Sequence, residues 1–152
     1  MPERPSHQRP NEEFAEHNQA FCGKCGKSTI TACPKCNSPI RGYFHIPRVV
    51  ALGSGSVENF CLDCGSPFPW TVDKLEAAKA YADEAEGLSP EERETLKKSF
   101  DDLIVESPKT QLAAMRFKKL LPKVGPQIGG ALRDLLVDIA SETAKKVLWP
   151  SP

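Results

Sequence analysis

At 152 residues the chain has room for one domain, or for a small module joined to another, and its 39% hydrophobic content suits a folded protein that keeps part of its length in irregular modules. No apolar run approaches the ~18 residues of a membrane span. The polar start Met1-Pro2-Glu3-Arg4-Pro5-Ser6-His7 lacks a signal-peptide core, so a reducing cytoplasmic location is expected. Net charge is zero but segregated: residues 1–70 carry +1, 71–106 carry −6 and 107–152 carry +5. Such a pattern neutralises itself within the chain first and offers a nucleic-acid surface second.

Residues 1–20 are polar and read as a weakly ordered arm. Residues 21–70 hold all six cysteines and form the expected zinc-ribbon domain. Residues 71–149 are rich in Ala, Leu, Glu and Lys and form the expected helical domain. The fold class is therefore α+β: a small ribbon, with a β-hairpin between Cys-x-x-Cys knuckles, followed by about four helices.

The first helix is expected over residues 72–86, with Leu75, Ala78, Ala82 and Ala85 on one face and Gly87 as its stop. The second starts at Ser89-Pro90-Glu91-Glu92, where Ser89 caps, Pro90 suits the first position and Glu92 closes a capping box. Leu96, Phe100, Leu103 and Ile104 make its inner face. Ser107-Pro108 repeats the start signal for the third, which buries Ala113, Phe117, Leu120, Leu121 and Val124 and ends at Gly125-Pro126. One long fourth helix carries Ile128, Leu132, Leu135, Leu136, Ile139, Ala140, Thr143 and Val147 as a stripe. This stripe is the largest apolar surface in the chain. It is either the core of a four-helix bundle or an uncovered interaction face.

The cysteines fall in three Cys-x-x-Cys units: Cys22 and Cys25, Cys33 and Cys36, Cys61 and Cys64. Paired spacing in a reducing compartment points to metal rather than disulfides. In a knuckle the chain turns tightly so that both thiolates face one ion, and Gly26 and Gly65 accept the positive φ of that turn. Two knuckles supply the four ligands of a tetrahedral zinc site. Residues 43–46 and 49–52 read as extended and 53–56 as a turn, giving knuckle, hairpin, knuckle. That order favours Cys33, Cys36, Cys61 and Cys64 as one Zn2+ site. The compact alternative joins Cys22 and Cys25 to Cys33 and Cys36, and a third joins the first knuckle to the last. The knuckle left over is completed by His7 or His17, by a partner chain, or not at all.

The segments Phe21-Cys22-Gly23-Lys24-Cys25-Gly26, Cys33-Pro34-Lys35-Cys36-Asn37-Ser38-Pro39-Ile40-Arg41-Gly42-Tyr43 and Phe60 through Cys61, Cys64, Gly65 and Pro67-Phe68-Pro69-Trp70-Thr71 resemble an uncharacterised bacterial zinc-ribbon family, domain of unknown function 2321. Arg116-Phe117-Lys118-Lys119 and residues 138–146 resemble its tail. The resemblance implies a double ribbon in which a further Cys-x-x-Gly-His knuckle pairs with Cys22 and Cys25. In this sequence no cysteine precedes Cys22. The resemblance implies an architecture and no activity.

Three classes of function follow. The first is a non-catalytic protein-interaction or oligomerisation module, with a protein partner or a second copy. The second is nucleic-acid binding through Lys24, Lys27, Lys35, Arg41 and Arg48 beside Tyr43 and Phe44, and through Lys109, Arg116, Lys119 and Lys123, which share about 80° of one helix face. The acidic second helix is expected to cover that face in part. An enzyme is disfavoured. His45 is followed by Ile46-Pro47 and lacks the glutamate of a zinc deaminase. No Ser/His/Asp set, phosphate-cradling loop or His-Glu-x-x-His is present.

Overall fold

The computed structural model describes residues 20–22, 26–40 and 58–150. The polar arm, His7, His17, His45, Lys24, Cys25, Arg41, Arg48 and the expected hairpin over residues 43–56 lie outside them. The chain divides into two compact units, residues 1–70 and 71–152.

In the first unit one local motif occurs three times. The amide of each leading cysteine donates to the carbonyl five residues on: Cys22 to Lys27 (2.8 Å), Cys33 to Ser38 (2.9 Å) and Cys61 to Ser66 (2.9 Å). The amide four residues on donates back to that cysteine's carbonyl, from Gly26, Asn37 and Gly65. An outer bond closes the loop, from Thr29 to Ala20, Ile40 to Thr31 and Phe68 to Asn59. A single antiparallel bridge accompanies each: Phe21 with Ser28, Ala32 with Pro39, Phe60 with Pro67. These isolated bridges are the only β-pairing among the described residues, and no strand forms there. The turn needs a left-handed residue, supplied by Gly26 (φ 72°), Gly65 (φ 71°) and, where glycine is absent, Asn37 (φ 61°). Asparagine tolerates that region better than other non-glycine residues.

A small core holds this unit together. Cys33, Ile40, Cys61, Phe68 and Trp70 are buried in one cluster, with Ile30 against it. Phe68 and Trp70 stack with centroids 4.6 Å apart. The indole N–H of Trp70 donates to the Glu58 carbonyl at 3.1 Å, which satisfies the polar end of a buried ring.

Five helices occur among the described residues: α1 Pro69–Asp83, α2 Pro90–Leu103, α3 Thr110–Leu120, α4 Pro126–Leu136 and α5 Glu142–Leu148. The capping box of α2 forms as expected, with the Ser89 hydroxyl accepting from Glu92 N and the Glu92 carboxylate accepting from Ser89 N, both at 3.1 Å. α3 starts later than Ser107-Pro108 suggests. Thr110 is fully buried, and its hydroxyl accepts from Ser107 N (2.8 Å) and donates to the Val105 carbonyl (2.5 Å), so the residues before it form a turn. α3 also stops earlier than expected, at Leu120. Pro122 lacks the N–H that would continue the helix, and Leu121–Lys123 tighten into a 3-10 turn. Gly125 (φ 83°) then redirects the chain into Pro126 at the head of α4.

The expected long fourth helix is two helices. The amide of Ser141 donates to the Leu103 carbonyl at the end of α2 (2.9 Å) rather than continuing α4. Ser141 then caps α5 by accepting from Ala144 N, and the Glu106 carboxylate accepts from Thr143 N at 2.8 Å. Both satisfy N-terminal amides that a helix otherwise leaves unpaired. Half of the stripe is interior: Leu132, Leu136, Ile139 and Ala140 are buried, while Ile128, Leu135, Thr143 and Val147 are half-buried. Of the two readings of the stripe, the burial of Leu136 selects interior core at that position.

α3 is the centre of the helical unit, packing on α2 and α5. Phe100 and Phe117 meet edge to face at 6.0 Å. Such a pair adds about 0.5–1.5 kcal/mol beyond its area. α1 contributes Ala78 and Ala82, and Ala85 follows just past its end, all fully buried, so its thin face is a close-approach face. Ion pairs Lys79–Asp101 (2.9 Å), Lys97–Asp83 (3.0 Å) and Lys74–Asp138 (2.5 Å) flank it.

Candidate metal centre

The second and third knuckles each present two thiolates on the same side of one tight turn. In the second and third knuckles those pairs converge. The Sγ atoms of Cys33, Cys36, Cys61 and Cys64 all lie within 4.8 Å of one another. Of the pairings open in the sequence, the structure assembles knuckle two with knuckle three. The ligands cross between knuckles: Cys33 Sγ is 3.7 Å from Cys64 Sγ, and Cys36 Sγ is 3.6 Å from Cys61 Sγ. These separations are far beyond a disulfide bond of about 2.05 Å. They match four thiolates placed about 2.3 Å from a tetrahedral ion, which sit about 3.8 Å apart. The donor set and its spacing therefore fit a metal ion. Cys22 is not in this cluster, and Cys25 lies outside the described residues.

The leading cysteines, Cys33 and Cys61, are buried, whereas Cys36 and Cys64 are exposed. The environment prepares the exposed pair as thiolates. The Ser66 hydroxyl and amide both donate to Cys64 and hold its thiol down at about 6, where it is largely ionised at neutral pH. Ser38 does the same for Cys36, lowering its thiol by hydroxyl and amide donation. Cys61 receives donation from the amides of Cys64 and Asp63, but burial and the adjacent Cys36 and Cys64 thiols outweigh it and push it up to about 11. Without an ion the cluster therefore shares protons unevenly. A divalent cation removes that frustration by favouring all four thiolates.

Ser38 and Ser66 are the residues that sequence reasoning missed. Their signal is Cys-x-Ser, present as Cys36-Asn37-Ser38 and Cys64-Gly65-Ser66 but absent from Cys25-Gly26-Lys27. Donors to coordinated sulfur orient the ligand and temper its charge.

The cationic residues are less organised. Lys35 is exposed at the tip of the second knuckle, and Lys27 is exposed in the first. Lys109, Arg116, Lys119 and Lys123 are all exposed on α3 and the segments flanking it. α2 leaves them exposed and, among the described residues, reaches that face through the ion pair of Glu92 with Lys123.

A helical unit joined to a pair of converging Cys-x-x-Cys knuckles defines a protein with a four-cysteine cluster that could hold a metal ion. The chain belongs to the family described as uncharacterised protein conserved in bacteria, domain of unknown function 2321, whose model matches residues 6–148. No curated protein and no solved structure matches it. No described helix is long and apolar enough to cross a membrane.

Proposed function

We propose that the four-cysteine cluster holds one structural Zn2+ and that the chain is a cytoplasmic zinc-ribbon protein acting as a protein-interaction or oligomerisation module, without catalysis. One observation carries this reading: all four corners of the cluster are protein thiolates. Such a site leaves no position for water or substrate, which is the mark of a structural rather than a catalytic zinc. All-sulfur tetrahedral coordination favours zinc over the oxygen-seeking cations. The ion locks two knuckles together and so stabilises a unit whose apolar core is only a few side chains.

Elemental analysis of the purified chain tests the site. The expected result is one zinc per chain, lost in Cys61→Ser. A metal-free wild-type chain refutes the ribbon. Two zincs per chain would enlist the knuckle of Cys22 and Cys25. A second reading, nucleic-acid binding, is favoured by the exposure of Arg116 and Lys119. Salt-dependent retardation of a nucleic acid by a monomeric, zinc-loaded chain would select it over the interaction module.

A further inference from the structure

The helical unit exposes two faces of opposite character. On α3, Leu112, Met115, Arg116 and Lys119 fall within about 100° of arc and span about 10 Å along the axis. Leu112 is 48% exposed and Met115 58%, two of the few large apolar residues so placed. Arg116 and Lys119 flank them and carry no ion pair among the described residues. On α1, Glu76, Ala80 and Glu84, which lies one residue past its end, share one side, with Tyr81 adjoining at 43% exposure. Glu76 and Glu84 span about 12 Å along the axis and carry no ion pair among the described residues.

We propose that the α3 face of one copy docks the α1 face of a second copy, a step that rests on the interaction-module reading and names its surface. The charges are complementary, and each face sets a large exposed apolar side chain beside them: Leu112 and Met115 on α3, Tyr81 on α1. Tyr81 supplies an aromatic edge for the Met115 thioether, a favourable pairing. Arg116 and Lys119, about 4.5 Å apart along their axis, splay outward on their long stems to Glu84 and Glu76 on either side of it. A two-fold axis forms both contacts at once and closes the assembly. The zero net charge of the chain adds no long-range repulsion between copies. A polyanion fits less well. Leu112 and Met115, exposed among the cations of this face, offer phosphate no hydrogen bonds.

The test uses the full zinc-loaded chain in light scattering and analytical ultracentrifugation. Wild type is expected to dimerise at low salt and to loosen as salt is raised. Arg116→Glu with Lys119→Glu, and separately Glu76→Lys with Glu84→Lys, should each weaken self-association by more than about tenfold. Mixing the two double variants should restore a dimer, because every docked pair is then of opposite charge again. That rescue is not explained by misfolding of either variant. A dimer unaffected by both charge reversals overturns this docking while leaving an interaction module in place. A wild type monomeric at low salt also overturns it. If that monomer retards a DNA duplex, the α3 face belongs to nucleic acid.

Discussion

Position 65 separates backbone conformation from sterics. Gly65 sits at φ 71°, and a Cβ built there meets nothing within 4 Å. Gly65→Ala therefore introduces no clash. Its cost is the left-handed backbone alone, about 1–2 kcal/mol for an L-residue. The knuckle must adopt this turn to present Cys61 and Cys64 together, so the strain is drawn from metal-binding free energy. At 1.4 kcal/mol per decade, zinc affinity should fall by about 5- to 30-fold. Gly65→Asn is the internal control. Asn37 holds the same position in the preceding knuckle at φ 61°, so asparagine at 65 should recover most of the loss. Competition for zinc with a chromophoric chelator, on the full chain, measures both. The reasoning fails if alanine binds as tightly as glycine, or if asparagine is no better than alanine.

Four further outcomes are expected. Leu136 is fully buried, so Leu136→Asp should unfold the helical unit by removing about 2–5 kcal/mol of packing and burying an unpaired charge; lost helical circular dichroism is the readout, and a folded variant would restore the interaction-face reading. A Cβ at Gly87 would lie 2.1 Å from the Lys123 carbonyl oxygen, so Gly87→Ala should lower the melting temperature by the equivalent of about 1–3 kcal/mol, and an unchanged melting temperature would refute that contact. The Thr143 amide holds the Glu106 carboxyl below the usual range, and Lys123 and the Ser89 amide do so for Glu92. Their stabilisation is complete above the ordinary carboxylate range and is lost as pH falls through the lowered folded values. Melting temperature should thus drop on acidification, less steeply in Glu106→Gln, and identical slopes would count against the cap. Chelation should disorder the cysteine unit while helical circular dichroism largely survives, and loss of the whole helical signal would make the two units one cooperative fold.

What the sequence discloses depends on how local the determinant is. The capping box at Ser89 and the cysteine spacing are set within a few residues and could be read directly. The knuckle at Cys33 could be read too, although its left-handed residue is Asn37 rather than glycine. The break between α4 and α5 could not. The 3.6-residue apolar period runs through Ile139 and Ala140 without interruption, and what stops the helix is the Leu103 carbonyl, distant in sequence, taking the Ser141 amide. The burial of Leu136 escaped for a related reason. The alanines of α1 read as a thin face, whereas small side chains allow closer approach. Ser38 and Ser66 were legible only once the thiolates had been placed beside them.

The bonds that define each knuckle run between residues no more than nine apart, from Ala20 to Thr29, Thr31 to Ile40 and Asn59 to Phe68. Loops of that length close in roughly 10–100 ns. Each half-site should consequently form and re-form many times before the ion arrives. The slower event is the meeting of the second and third knuckles, whose inner cysteines Cys36 and Cys61 are 25 residues apart. Loop-closure entropy grows only with the logarithm of length, so even doubling that connection would cost about 0.6 kcal/mol. Length variation between these knuckles is accordingly cheap, and capture of a metal ion should be governed by the encounter of two preformed bidentate claws.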